Sequence, residues 1–328
     1  VGVSLIATVY NEGESIRGLM DSLVMQTRQP DEIVIVDGGS RDSTVAVLEG
    51  YRDRLPLHVI VESGANISRG RNLAIENARH EIIAVTDAGV RLEPTWLANL
   101  LAPFDTDPEL SGVSGFFQAD PRTAFEAAMG ATVLPTREDI DPTTFLPSSR
   151  SIAFKREAWQ AAGGYPEWLD YCEDLVFDLR LIQKTGSLPF AGDAIVHFRP
   201  RTSLRAFYRQ YYLYARGDGK ADLWRKRHAI RYLTYCVGFP ALVLLSWLVS
   251  PLFLVALAIG GLLYCRRPLE RLPATLKSLP KPATARQTLQ AYLWVPVIRA
   301  IGDIAKMIGY PVGTRWRLRH QPPDWRTQ

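Results

Sequence analysis

Three features of the sequence predict an α/β fold on a mostly parallel sheet, followed by a C-terminal helical membrane-associated region. Four strand-like apolar runs alternate with helical patterns in the N-terminal third, as in a parallel sheet covered on both faces. Charge is divided along the chain: residues 226–328 hold 15 Lys/Arg against 3 Asp/Glu (net +12), and residues 1–225 hold 23 against 31 (net −8). Finally, no charged residue occurs from Tyr232 to Cys265, a run of 34.

The opening VSLIATV reads as a buried strand and lacks the basic leader of a signal peptide. Ile16, Leu19, Met20, Leu23 and Val24 then recur at helical spacing. EIVIV (32–36), LHVIV (57–61) and EIIAVT (81–86) are the next strands, with helices from Ser43 and around Arg71–Arg79 between them. A further helix opens at Pro94, a residue favoured in the first turn. Residues 110–200 keep strand and helix signals but lose the alternation. They read as the second half of one domain over 1–202, with a loop around 132–150 as its cover.

A helix rich in Tyr and Arg, Leu204–Arg216, lies in a segment 203–228. It suits an interfacial helix with aromatics at headgroup depth, or equally a helix packed under the sheet. RKR (225–227) and Arg266-Arg267 bracket the uncharged run. Its 34 residues make about 51 Å of helix, too long for one straight crossing of about 30 Å and short for two. Ser250-Pro251 near its middle is a natural turn, so 229–265 reads as a tight helical hairpin. A buried helix pair is the alternative. The basic flanks put both ends on the cytoplasmic side. In the basic tail, 266–328, Arg299, Asp303 and Lys306 share one face of an apolar stretch over 289–310, which fits an amphipathic helix in the interface.

Composition narrows the function classes. An acidic body with a basic tail argues against nucleic-acid binding and towards an anionic membrane surface. Three cysteines, without a CxxC or Cys/His cluster, exclude a disulfide scaffold and a structural zinc site. Cys172 reads as an ordinary buried thiol.

In open α/β sheets ligands sit at the carboxyl ends of the strands, and those ends are polar and acidic here. They are Thr8-Val9-Tyr10-Asn11-Glu12, Asp37-Gly38-Gly39-Ser40 and Asp87-Ala88-Gly89. One such acid is commonly a helix cap. Three on neighbouring strands suit ribose or base hydroxyls and a cation holding a diphosphate. Neither GxGxxG nor GxxxxGK[ST] occurs at these turns, against dinucleotide and P-loop chemistry.

The ordered set VSLIATVYNE, EIVIVDGGSRDST, SRGRNLAIENA, VTDAGV, AFKREAWQAAGGYPE and CEDLVFDLRL resembles the family-2 glycosyltransferases, inverting enzymes of the GT-A fold, over residues 3–200. The resemblance implies a nucleotide-sugar site from Thr8, Asn11, Glu12, Asp37, Gly39, Ser40, Arg71 and Asp87. Glu12 and Asp37 would meet the nucleoside, Arg71 the base or phosphates, and Asp87 the diphosphate and a Mg²⁺ or Mn²⁺ ion. Glu173 and Asp174 would reach the acceptor, with Asp174 as catalytic base. UDP-sugars are favoured as donor, with GDP-sugars next. The anchor implies a lipid-linked or membrane-proximal acceptor at the cytoplasmic face.

Thr8 stands where the family usually has proline, and Gly38 replaces an aspartate. Asp87-Ala88-Gly89 lacks the second acid of Asp-x-Asp, which leaves Asp87 as metal ligand with His197 as a second candidate. Arg199 and Arg201 could neutralise a diphosphate or belong to the membrane-facing surface. Tyr211–Arg216 lacks the Gln-x-x-Arg-Trp motif of processive members, which implies transfer of a single sugar. Independently, Glu173 and Asp174 open a helix, where the dipole favours ionised carboxylates, and adjacent helical positions about 100° apart divide their roles. Two other readings remain at this point. A nucleotidyltransferase would need a basic Gly-rich loop after the first strand, and a non-catalytic partner is favoured by Asp-Ala-Gly alone.

Overall fold

The computed structural model describes residues 2–327. Strands β1 (Val3–Val9), β2 (Glu32–Asp37), β3 (Leu57–Val61) and β4 (Ile82–Val85) are the four runs anticipated. They alternate with helices α1 (Arg17–Val24), α2 (Thr44–Glu49) and α3 (Ile67–Asn77). β5 (Val90–Leu92), α4 (Trp96–Thr106) and β6 (Gly112–Ala119) follow. The chain then makes α5 (Ala124–Val133) and returns for β7 (Ile152–Lys155), α6 (Arg156–Ala161), α7 (Glu173–Thr185) and β8 (Phe190–Phe198).

The eight strands lie in the order β3-β2-β1-β4-β7-β6-β8-β5. β3, β2, β1 and β4 run parallel, whereas β7 pairs antiparallel with β4 and β6, and β5 antiparallel with β8. Alternation explains why the parallel half is buried on both faces. Leu5, Ala7, Ile33 and Ile35 enter one core, while Ile6, Val34 and Val36 enter the other. The carboxyl ends of β1, β2 and β4 consequently share one edge. Asn66 caps α3 three residues before Arg69-Gly70-Arg71, its side chain accepting the Arg69 N–H at 2.8 Å.

The division of the chain differs from a single cut at residue 202. One unit comprises 1–118, 136–198 and 323–328; the other comprises 119–135 and 199–322. Helix α5 joins the C-terminal helices because its small residues Ala127, Ala128 and Ala131 form a core with Leu272, Val295 and Ile298.

In that second unit, α8 (Leu204–Lys220), α9 (Arg225–Tyr232), α10 (Phe239–Leu248), α11 (Leu252–Lys277) and α12 (Ala285–His320) follow in turn, with a π-helical turn at Leu233–Gly238. Ser250-Pro251 forms the break between α10 and α11, as its turn chemistry predicts. The stretches Arg225–Leu248 and Leu252–Lys277 are long and apolar enough to cross a membrane, and they are largely unburied. Trp247, Leu248, Leu252, Leu262 and Leu263 are all exposed, which points to membrane association.

α8 is a packed helix, buried through Phe207, Ala215, Gly217 and Gly219. Its partner α12 meets it backbone to backbone through Gly309 and Gly313. A Cβ on Gly313 would stand 2.0 Å from the Arg216 carbonyl oxygen, and one on Gly309 2.2 Å from that of Tyr212. Gly313→Val should therefore separate the two helices, well beyond the usual cost of about 1–3 kcal/mol for overpacking, because the obstacle is backbone. The expected readout is a large drop in melting temperature of the detergent-solubilised protein. Gly260→Val, with nothing within 4 Å of the new Cβ, should leave it unchanged.

Candidate active site

Asp37 ends β2 and is completely buried. Its Oδ1 accepts the N–H groups of Gly39 (2.9 Å) and Ser40 (2.7 Å), and the Ser40 hydroxyl donates to Oδ2. The carboxylate thus builds the turn at the end of β2. Gly39 is needed there, because its φ is +94° and a Cβ would lie 3.0 Å from Ser63. Asn11 adopts a left-handed backbone (φ 53°). Its N–H donates to Ser40 Oγ (2.7 Å) and its Oδ1 accepts the Arg41 N–H (2.9 Å), which ties the first strand end to the second. Thr8, Glu12 and Gly38 line a cavity of about 190 Å³ with Tyr10, Asn66 and Gly70. Gly70 keeps α3 close to β1, since a Cβ there would come within 2.8 Å of the Thr8 methyl.

Arg71 lies deeper than a base- or phosphate-binding residue would. It is 2% exposed and spans two acids. One terminal nitrogen donates to Asp87 Oδ1 and the other to Glu173 Oε1, each at 2.8 Å, and the guanidinium lies 5.1 Å from the Tyr165 ring centroid. Burial disfavours its charge, but Asp87 and Glu173 raise its pKa and hold it charged. Arg71 thereby joins the end of β4 to the start of α7, its bond to Glu173 spanning 102 residues of sequence.

Cys172, in a left-handed conformation, turns the chain into α7. The two acids then part as helical geometry requires. Glu173 turns inward to Arg71; burial, and next the Asp174 charge, push its carboxyl up to about 7. Asp174 stays half-buried, and its Oδ1 accepts only the Leu175 N–H (2.8 Å); no cation pairs with it among the described residues. One turn on, Asp178 is fully buried, with neither oxygen hydrogen-bonded. Burial, and then the Asp174 charge, raise its pKa well above that of a free aspartate, which favours its neutral form.

Arg150 carries no signal in the sequence, and Tyr165 enters there only as part of AFKREAWQAAGGYPE. Arg150 Nε stands 3.5 Å from Asp87 Oδ2, with its guanidinium 4.9 Å from the Phe198 ring centroid. A loop brings it there, and no periodicity marks such a residue. Tyr165 stacks on Phe177 (4.2 Å) under Arg71. Asn66, the N-cap of α3, was likewise not anticipated, although an Asn just before a helix is a capping signal.

These residues do not fit a resident divalent cation. Both oxygens of Asp87 face guanidiniums, Ala88 and Gly89 bring no ligand, and no three His, Cys, Asp or Glu side chains gather among the described residues. His197 is turned instead to Glu93, with which it pairs closely. Arg199 binds Glu126 (2.8 Å) in the C-terminal unit, and Arg201 binds Gln210 there (3.1 Å).

The family model for Glycosyl transferase family 2 matches residues 4–155, the segment that carries Asn11, Asp37, Arg71 and Asp87. Those residues match a family-2 glycosyltransferase domain. It is 24% identical over 224 residues to the O-antigen chain rhamnosyltransferase RfbN of Salmonella typhimurium, covering 64% of this chain and 70% of that one. The putative glycosyltransferase EpsH of Bacillus subtilis is 33% identical over 212 residues, 60% of each chain. Among solved structures, S. aureus TarS 1-349 aligns with a TM-score of 0.52 at 18% identity, over 98% of this chain and 92% of that one. The mannosyltransferase PcManGT of Pyrobaculum calidifontis, in complex with GDP-Man and Mn²⁺, aligns with a TM-score of 0.56 at 18% identity, over 98% and 88%. The mixed sheet with flanking helices is accordingly a GT-A fold, and the enzyme is a glycosyltransferase.

Proposed function

We propose that the transferase moves one sugar from a nucleotide donor to a lipid-linked or membrane-proximal acceptor at the cytoplasmic face, with inversion. The observation that carries this reading is the Asp87–Arg71–Glu173 bridge, which fixes a donor-side acid and the start of α7 in one rigid unit. In the proposed step the acceptor oxygen attacks the anomeric carbon as its proton passes to Asp174. The bond to the diphosphate breaks, and the nucleoside diphosphate leaves with the electron pair. Asp37, Asn11 and Ser40 shape the nucleoside turn, and Arg150 supplies positive charge beside Asp87.

Nucleotide sugars are the ligands of similar structures, GDP-Man in PcManGT and UDP-GlcNAc in TarS. RfbN, an O-antigen chain rhamnosyltransferase, and the exposed apolar helices support a cell-envelope acceptor near a membrane. Transfer from a panel of UDP- and GDP-sugars to membrane acceptors tests the proposal. Release of nucleoside diphosphate from none of them would overturn it.

A divalent cation, expected from the sequence as Mg²⁺ or Mn²⁺, finds only the engaged carboxylate of Asp87. Such ions commonly bind through one or two carboxylates plus phosphate. Calorimetry should therefore register negligible Mn²⁺ binding to the protein alone. With a nucleoside diphosphate present, affinity should rise by more than about tenfold, the nucleotide tightening by the same factor. Asp87→Ala should erase that coupling. Tight Mn²⁺ binding without nucleotide would contradict the reading.

A further inference from the structure

The helical unit contains a cavity of about 390 Å³, within the range of small-molecule sites. Four cations line it, Arg227, Arg231, Arg299 and Lys306, against one carboxylate, Asp303. Asp303 is already occupied. Its Oδ1 accepts from Arg231 Nε (2.7 Å) and faces Lys306 Nζ (3.9 Å), while the hydroxyls of Tyr235 and Tyr264 donate to Oδ2. No carboxylate pairs with Arg227 or Arg299 among the described residues. Arg299 lies 4.0 Å over the Tyr264 ring, and its Nε is buried without a hydrogen-bond partner. Such a donor is costly to leave unmet. Burial presses the Lys306 pKa down; Asp303 opposes this, and Arg231 and Arg299 add to it. The polar face of α12 anticipated from Arg299, Asp303 and Lys306 thus lines a cavity.

The cavity sits at the charged end of the apolar hairpin. Tyr235 and Tyr264 come from its two legs, and their hydroxyls are 3.3 Å apart. Beyond them the legs are bare and apolar, with Val237, Leu262 and Leu263 exposed. On α12, Leu293, Val297, Ile304 and Ile308 form an exposed stripe. A soluble anion would need none of this surface, whereas an anion esterified to a long hydrocarbon would use all of it.

We infer that this cavity binds the phosphate or diphosphate of a long-chain lipid, whose chain lies along the apolar helices. That the lipid is the acceptor's anchor rests on the function proposed above; the binding itself does not.

The test uses full-length protein in neutral detergent, without donor, and three probes: a C15 isoprenyl monophosphate, the corresponding alcohol, and inorganic phosphate. Wild type should bind the isoprenyl phosphate at least about tenfold tighter than either other probe, a difference of about 1.4 kcal/mol. Arg299→Gln with Lys306→Gln should remove most of that preference while nucleoside diphosphate binding stays unchanged. If the double variant fails to fold, Arg227→Gln alone, at a residue whose guanidinium lies 4.2 Å over the Trp224 ring, should weaken the lipid phosphate severalfold. Equal binding of the alcohol, or an unchanged preference in a folded variant, overturns the site. Inorganic phosphate binding as tightly as its ester overturns the lipid assignment. Lipid-phosphate binding together with a failed sugar-transfer panel would leave the site standing and remove the proposed function.

Discussion

Replacing Asp174 by Asn is expected to lower kcat by about 100- to 10,000-fold, the usual worth of a general base. That span is about 2.7–5.5 kcal/mol of transition-state stabilisation. The substitution is nearly isosteric, and an Asn oxygen can still accept the Leu175 N–H that Asp174 Oδ1 accepts at 2.8 Å. Folding and nucleoside diphosphate affinity should therefore hold. The contrast with Glu173→Gln is informative, because Glu173 faces Arg71 and away from solvent. That variant should perturb stability and KM alongside kcat, as expected of a positioning residue. Asp174→Asn activity within tenfold of wild type would remove Asp174 from the base role.

How far the sequence disclosed this arrangement depended on how local each signal was. β1 to β4 were legible because a strand buried on both faces is an unbroken apolar run. The antiparallel half was not, since the β4–β7 and β6–β7 pairings leave no periodic mark in the chain. The strand-end acids were legible for the same reason as their strands, and Glu173-Asp174 because they open a patterned helix. Arg150 and the depth of Arg71 were hidden, because both depend on loops folding back onto β4. α5 was not singled out among the mixed signals of 110–200: a helix packed through alanines shows little hydrophobic contrast. Pro296 falls within 289–310, where a proline ordinarily breaks a helix, yet α12 runs unbroken past Pro296 and Pro311. Its contact face, Gly302, Ala305, Gly309 and Gly313, is packed along the helix and outweighs the hydrogen bonds each proline removes.

Arg71→Met should be the most damaging single change to the catalytic domain. It removes the shared partner of Asp87 and Glu173, two acids bonded to it at 2.8 Å each. Breaking a buried ion pair from one side costs about 3–5 kcal/mol, because the remaining charge stays buried. At about 2–4 °C per kcal/mol for a domain of this size, the melting temperature should fall by about 6–20 °C. The loss should depend on pH with a definite sign. Burial and the Asp174 charge already raise Glu173 from 4.5 to about 7, and Arg71 is what opposes them. A folded-state value above the unfolded one means stability that is present below about 4.5 and lost as pH rises through about 7. Without Arg71 the folded value climbs further, so the variant should be closest to wild type at pH 5 and farthest from it at pH 8. Melting curves of both proteins across that range decide the matter. A deficit independent of pH would mean that Arg71 acts through packing on Tyr165 alone, and that the bridge between the two acids carries none of the site's stability.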